Sequence, residues 1–338
     1  MGEDRAAGGR GTDRSGTDQP RAARRPAAGL WVPGLALFAA TFAAGVLGYS
    51  LPGWGARLPL PILPSGVAVG ALVRYGRRLW PAVFAAELAI ELWRGTGRAA
   101  AVVIACALPA GSWVTARILE RRGFGAEFAR ARDVPLFIAA AFVGMALTAT
   151  VGDAGLGLIG PSPFAFSPLY WLRWWSNASV GVLLLAPLLI TLRRASLAPL
   201  RARPAHTLVF LGALLATAIA LALISDPLLA PVLRSPIVVL SLLLVVVGAM
   251  RFGLVTAAAA TLLLSALAAL SFAFDRGLMS GLPELGGLVL LWSFVGALTG
   301  IVLIVTALLA ERDAAAAERL RAERRYAEVF EASPQPLW

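Results

Sequence analysis

Long apolar runs separated by short polar links make up most of this chain. They fall at roughly 30–49, 60–76, 79–94, 99–119, 134–152, 169–192, 207–225, 236–250, 253–274 and 285–310. Most are close to the ~20 apolar residues that carry an α-helix across a bilayer. The second, third and eighth are short, which suits re-entrant or tightly packed helices, so eight to ten crossings are expected. The pattern predicts an all-α fold, a polytopic integral membrane helical bundle. Residues 1–29 are polar and rich in Gly and Arg, cannot bury a core, and read as a disordered tail. Beyond 310 the chain turns charged and Ala-rich, without Gly or Pro, in AERDAAAAERLRAERRYAEVFEA. Those are strong helix formers, and Glu318 and Arg321 share a face. The last membrane helix is therefore expected to run on into the cytoplasm over 311–330, after a membrane domain over 30–310.

Composition agrees with this picture. Hydrophobic residues are 59% and charged residues 14% of the 338 positions, against roughly 45–50% and about 25% in soluble domains. A soluble enzyme is excluded. All 30 basic residues are Arg, and the net charge is +11. They sit between apolar runs and not on one face, which argues against nucleic acid and for a lipid bilayer as the surrounding partner. With ten spans, Arg77, Arg78, Arg121, Arg122, Arg130, Arg132, Arg193, Arg194, Arg201, Arg203 and Arg251 share one side. The other side holds only Arg57, Arg98, Arg234 and Arg276, with Arg94 at a span end. This bias predicts that both termini are cytoplasmic.

Much chemistry is missing. Cys106 and His206 are single, and there is no Lys. No disulfide, His or Cys metal centre, phosphate-binding Lys or Schiff base can be built, so no metal, no cofactor and no catalytic residue is expected. Gly66 with Gly70, and Gly296 with Gly300, have the spacing that lets helix backbones approach. No internal repeat supports an inverted-repeat transporter.

A few polar side chains stand out. Glu87 and Glu91 are four apart on the third run and share a face. At ~1.5 Å per residue Glu87 is about 13 Å from Arg78, near mid-membrane, where a charge costs ~2.5–3.5 kcal/mol on insertion scales. Both glutamates are candidate ligand or proton sites; a structural pair with an Arg is the plainer reading. Arg173 stands among Trp171, Trp174 and Trp175. Such an Arg can stack on rings and hold an anion in a fork, although a snorkelling Arg in an aromatic belt is commoner. If either glutamate pairs with Arg173, a charged ligand could compete for either partner. Asp153, among Gly152, Gly155 and Gly157, reads as part of a flexible outer loop that could close over a pocket, with an ordinary turn the plainer reading.

Three stretches, taken in order, resemble the first membrane-associated sensor family of bacteria, MASE-one. They are LPSGVAVGALVRYGRRLWPAVFAAELA from Leu63, WLRWWSNASVGVLLLAPLLITLRR from Trp171, and the stretch from Met250-Arg251-Phe252-Gly253 to ALTGIVLIVTALLAERD. The resemblance covers residues 30–312. It departs at Ser176-Asn177-Ala178-Ser179, where the family often carries an acid before the Gly, here Gly181. Either the chain lacks that group, or Asn177 replaces it as a neutral hydrogen-bonding one. The final YAEVFEASPQPLW, 326–338, looks like the opening of a PAS domain.

The resemblance implies a non-enzymatic sensory input domain in the bacterial cytoplasmic (inner) membrane. Its output, a PAS-linked histidine kinase or diguanylate cyclase, is missing from this chain. The implied partners are an unknown small-molecule ligand or a partner membrane protein, with a homodimer through the cytoplasmic helix left open. The candidate ligand-binding residues are Glu87, Glu91, Arg173, Trp174 and Asn177. The alternative is a multi-pass transporter or permease, for which Pro64, Pro81, Pro109 and Pro187 offer helix breaks.

Overall fold

The computed structural model describes residues 31–50, 63–125, 128, 130–159, 168–192, 198–224, 228–277 and 281–331. The expected tail at 1–29, most of the PAS-like end, and Arg57, Arg193, Arg194 and Asp226 lie outside them. The described residues form helices and links: α1 Trp31–Ser50, α2 Leu63–Tyr75, a 3-10 turn Arg77–Leu79, α3 Trp80–Trp93, α4 Arg98–Arg121 and α5 Asp133–Ile159. There follow α6 Pro168–Thr191, the short α7 Ala198–Ala202, α8 Pro204–Leu223, α9 Leu229–Phe252, α10 Leu254–Ala273 and α11 Glu284–Glu331.

Eight of these helices are long and apolar enough to cross a membrane. The chain is a multi-pass, all-α membrane protein. Of the three short runs, α2 and α3 stay short, at 13 and 14 residues. They reach only about 20 Å at ~1.5 Å per residue, against a hydrocarbon core of ~30 Å. Helix α2 is wrapped by α1, α4 and α6 and is buried from Pro64 to Val69 apart from Val67. The eighth run is not short. Helix α9 begins at Leu229 and takes in Pro231, Arg234 and Pro236. Arg234 lies less than two turns from the helix start, where a long side chain can reach the interface. Helix α5 is also longer than its run, because the Gly-rich segment through Asp153 stays helical to Ile159.

The helices make two packed groups. Helices α1 to α5 surround one core, with Leu72, Val83, Leu119, Phe137 and Met145 inside it. Helices α8 to α11 surround another, with Phe210, Val245, Leu264, Leu288 and Leu298. Two helices belong to both. Helix α6 gives Ala178 and Val182 to the first core and Val180 and Leu184 to the second. Helix α11 fills the second core as far as Val302, then places Leu303 and Ala307 in the first.

None of Pro64, Pro81, Pro109 and Pro187 breaks a helix. The first two stand at the second position of α2 and α3, where a missing N–H is harmless. The other two lie inside continuous α4 and α6. The Gly66–Gly70 pair does bring backbones together: a Cβ on Gly66 would strike the Gly181 carbonyl, and one on Gly70 would meet Ala186 and Leu189 of α6. Gly296 and Gly300 do not; among the described residues no atom comes within 4 Å of where their Cβ atoms would stand.

The end of the bundle from which α11 runs on is here the proximal end, the opposite one distal. Arg74, Arg77, Arg78, Arg117, Arg121, Arg122, Arg130, Arg132, Arg201, Arg203 and Arg251 all stand at or beside proximal helix ends. Arg77 pairs with Glu120 at 2.8 Å and lies 4.9 Å from the Trp113 ring centre. Nearby the Ala131 N–H donates to Glu311 of α11 at 2.7 Å, tying the α4–α5 link to the helix as it leaves the bundle.

Candidate functional site

The distal end of α3 is capped by the residues that follow Trp93, Arg94-Gly95-Thr96-Gly97. Gly95 takes φ +78, which ends the helix in a left-handed turn that suits glycine. The Thr96 N–H then returns to the Glu91 carbonyl at 3.0 Å, and the Gly95 N–H to that of Leu92 at 3.1 Å. This turn carries the Thr96 hydroxyl back over the helix end, where it donates to Glu91 Oε2 at 2.7 Å. Arg94, one turn from Glu91, places Nη1 2.8 Å from Oε1 and 3.0 Å from Oε2. The Glu91 side chain is wholly buried and that of Arg94 is one-third exposed.

Other helices close around this pair. The Arg94 guanidinium sits 4.0 Å from the ring centre of Tyr49, at the distal end of α1. Tyr170, near the start of α6, is within electrostatic reach of Arg94, Glu91 and Asp153. The Tyr170 ring stands edge-on to Trp174, and the Trp174 ring lies against Gly152 of α5, a position with no room for a side chain. Glu87 is one turn deeper on α3, buried, and the charges acting on it are those of Glu91 and Arg94. Its Oε1 has no hydrogen-bond partner, and neither has Oδ1 of the buried Asp153.

The structure thus divides the five candidate residues. Glu87, Glu91 and Trp174 belong to the distal cluster. Asn177 does not: it is buried on α6 and its Oδ1 accepts a hydrogen bond from Trp292 Nε1 of α11 at 3.2 Å. Arg173 is partly buried, one turn distal of Asn177. The ion pair of Glu91 is with Arg94, not Arg173, because a partner three residues away on the same helix is in place as soon as the helix forms. Asp153 is no loop residue but a buried helical one. Sequence reasoning missed Tyr49, Arg94, Thr96 and Tyr170. The Glu91–Arg94 spacing and the Arg-Gly-Thr-Gly helix stop were the readable signals.

A family model for MASE1 matches residues 28–313. The chain belongs to the MASE1 family. MASE1 domains are membrane-associated sensory domains of signalling proteins, so the bundle is a sensory module and not a catalytic one by family. No curated protein and no solved structure matches the chain. In this MASE1 domain Glu91 lies near the distal end of α3 and Glu87 at the middle of that helix, and Asn177 sits at the junction of the two helix groups.

The buried pair has a measurable signature. Arg94→Leu leaves Glu91 with the Thr96 hydroxyl alone, and an unsatisfied buried acceptor costs about 1–3 kcal/mol. Removing both partners is far milder, since no orphan charge remains. Thermal melting of the purified protein should therefore rank Arg94→Leu below the double variant Glu91→Leu/Arg94→Leu. Equal losses in the two would show that the pair is not what holds this end together.

Proposed function

We propose that this MASE1 domain is the input half of a bacterial signalling protein in the cytoplasmic membrane, with both termini in the cytoplasm. It receives a small-molecule signal at the distal cluster. It relays that signal through α11 to a PAS-linked histidine kinase or diguanylate cyclase. The observation that carries this reading is α11 itself. It is one uninterrupted helix of 48 residues, packed into both cores and then exposed almost throughout from Glu311 to Glu328. A rotation or shift of its membrane part must appear at its free end, because a continuous helix is stiff. The Arg-rich proximal end supports the cytoplasmic orientation.

Helix α6 supplies the connection. Its distal turns carry Tyr170 and Trp174 in the cluster, and Asn177, one turn beyond Trp174, holds Trp292 of α11. A ligand that favours one packing of α6 biases α11, provided that it binds the two packings unequally. Moving the balance from 1:99 to 99:1 takes roughly 5.5 kcal/mol of difference.

The test is a chimaera with a known kinase or cyclase module joined after Glu331. Asn177→Leu, which removes the acceptor for Trp292, should move basal output well away from the wild-type level at equal expression. Unchanged output would sink the relay through α6 and α11.

A further inference from the structure

We propose that the distal cluster binds a small organic cation rich in N–H donors, a guanidinium or a primary ammonium, held by Glu87 on the inner side of the Glu91–Arg94 pair. This deepens the sensory reading and rests on it for the effect of binding on signalling.

The carboxyl groups are the first argument. Glu87, Glu91 and Asp153 bring three of them from α3 and α5, and the Arg94 guanidinium is engaged by Glu91. The second is hydrogen bonding. Glu87 and Asp153 are 6% and 7% exposed, and each has a carboxyl oxygen without a donor. An unmet acceptor in a buried site is costly, and a cation carrying several N–H groups supplies both donor and charge.

The third argument is that the site already displays the chemistry it accepts. The Arg94 guanidinium lies on the Tyr49 ring at 4.0 Å and on both oxygens of Glu91. Tyr170 and Trp174 extend the aromatic wall, and ring faces attract such cations. A metal ion fits less well. Among the described residues no three acids, histidines or cysteines gather closely enough to hold one. Access is from the distal end, where the Arg94 side chain is 33% exposed.

The experiment uses the full chain, purified in lipid nanodiscs, with methylguanidinium as probe and its neutral isostere N-methylurea as control. Calorimetry should show saturable binding of methylguanidinium and none of N-methylurea, with a matching rise in melting temperature. Glu87→Gln, nearly isosteric, should weaken binding by about tenfold or more, the loss expected when a charged acceptor is removed. Asp153→Asn should weaken it less, since Asp153 reaches the cluster through Tyr170. No saturable binding, equal binding of N-methylurea, or an unaltered Glu87→Gln variant each overturns the proposal. So does a melting temperature that follows pH while methylguanidinium is silent, which would make a proton the occupant. Binding without any change in chimaera output would keep the cation site and sink the sensory reading. A chimaera that responds to Asn177→Leu while methylguanidinium fails to bind would do the reverse.

Discussion

Gly144→Val is expected to pull α4 away from α5 and leave little folded protein. A Cβ on Gly144 would run into the carbonyl oxygen of Gly111 and the hydroxyl of Thr115. One on Gly111 would run into the carbonyl of Gly144 and the hydroxyl of Thr148. Each side presents a backbone carbonyl as well as a threonine hydroxyl, so turning the threonine side chains away does not clear the space. The Thr115 hydroxyl is 3.0 Å from the Gly111 carbonyl and 3.2 Å from that of Ala140 on α5, so it joins the two helices where they are closest. In a bilayer the lipid is as apolar as the helices. Close backbone approach and interhelical hydrogen bonds therefore carry much of the association.

Overpacking commonly costs about 1–3 kcal/mol, and a branched side chain against a carbonyl belongs at the top of that range or beyond. Total stability is about 5–15 kcal/mol in typical folded domains, so the loss is a large share. Gly144→Ala should lower the melting temperature clearly, and Gly144→Val should leave most of the protein aggregated on size exclusion. Gly212→Val is the control: Gly212 is exposed on α8, and among the described residues nothing lies within 4 Å of its Cβ position. A Gly144→Val protein that melts like Gly212→Val would show that this contact does not hold the first helix group together.

Span positions were legible because a bilayer demands apolar length, and length is written directly in the chain. The ends were less so. The run ending near 152 stops at Gly152-Asp153, which in water signals a turn. In the fold Asp153 is buried and the helix continues, since a backbone inside a bundle gains by keeping its own hydrogen bonds. The same holds at Pro231 and Arg234, which look like a link and are helical.

Close packing was half legible. Spacing four picked out Gly66 and Gly70 correctly, but also Gly296 and Gly300, whose faces meet no described neighbour. It passed over Gly111 with Thr115 and Gly144 with Thr148, where one member of each pair is a threonine. Spacing reports what a helix could offer; which helix comes opposite is a tertiary fact. The candidate site shows the same limit. Glu87 and Glu91 were visible as acids inside an apolar run. Their companions Tyr49, Asp153 and Tyr170 come from α1, α5 and α6 and look ordinary where they stand in sequence.

A single alanine inserted after Ala316 is expected to disconnect the output. From Glu311 to Glu328 helix α11 is exposed almost throughout, so within the described residues its phase is set by the helix itself and by the Glu311 contact at its exit. One extra residue advances everything beyond it by ~1.5 Å and turns it by about 100°. An output module that reads the orientation of α11 then meets the wrong face. Seven extra residues lengthen the helix by about 10 Å but return its face to within ~20°. In the chimaera joined after Glu331, the one-residue insertion should abolish the effect of Asn177→Leu on output, and the seven-residue insertion should restore it. This separates a helix that transmits orientation from one that only tethers. If both insertions leave the response to Asn177→Leu intact, α11 is a flexible leash and the relay fails. If both abolish it, output reads distance along the helix and not phase, and the coupling is a piston and not a rotation.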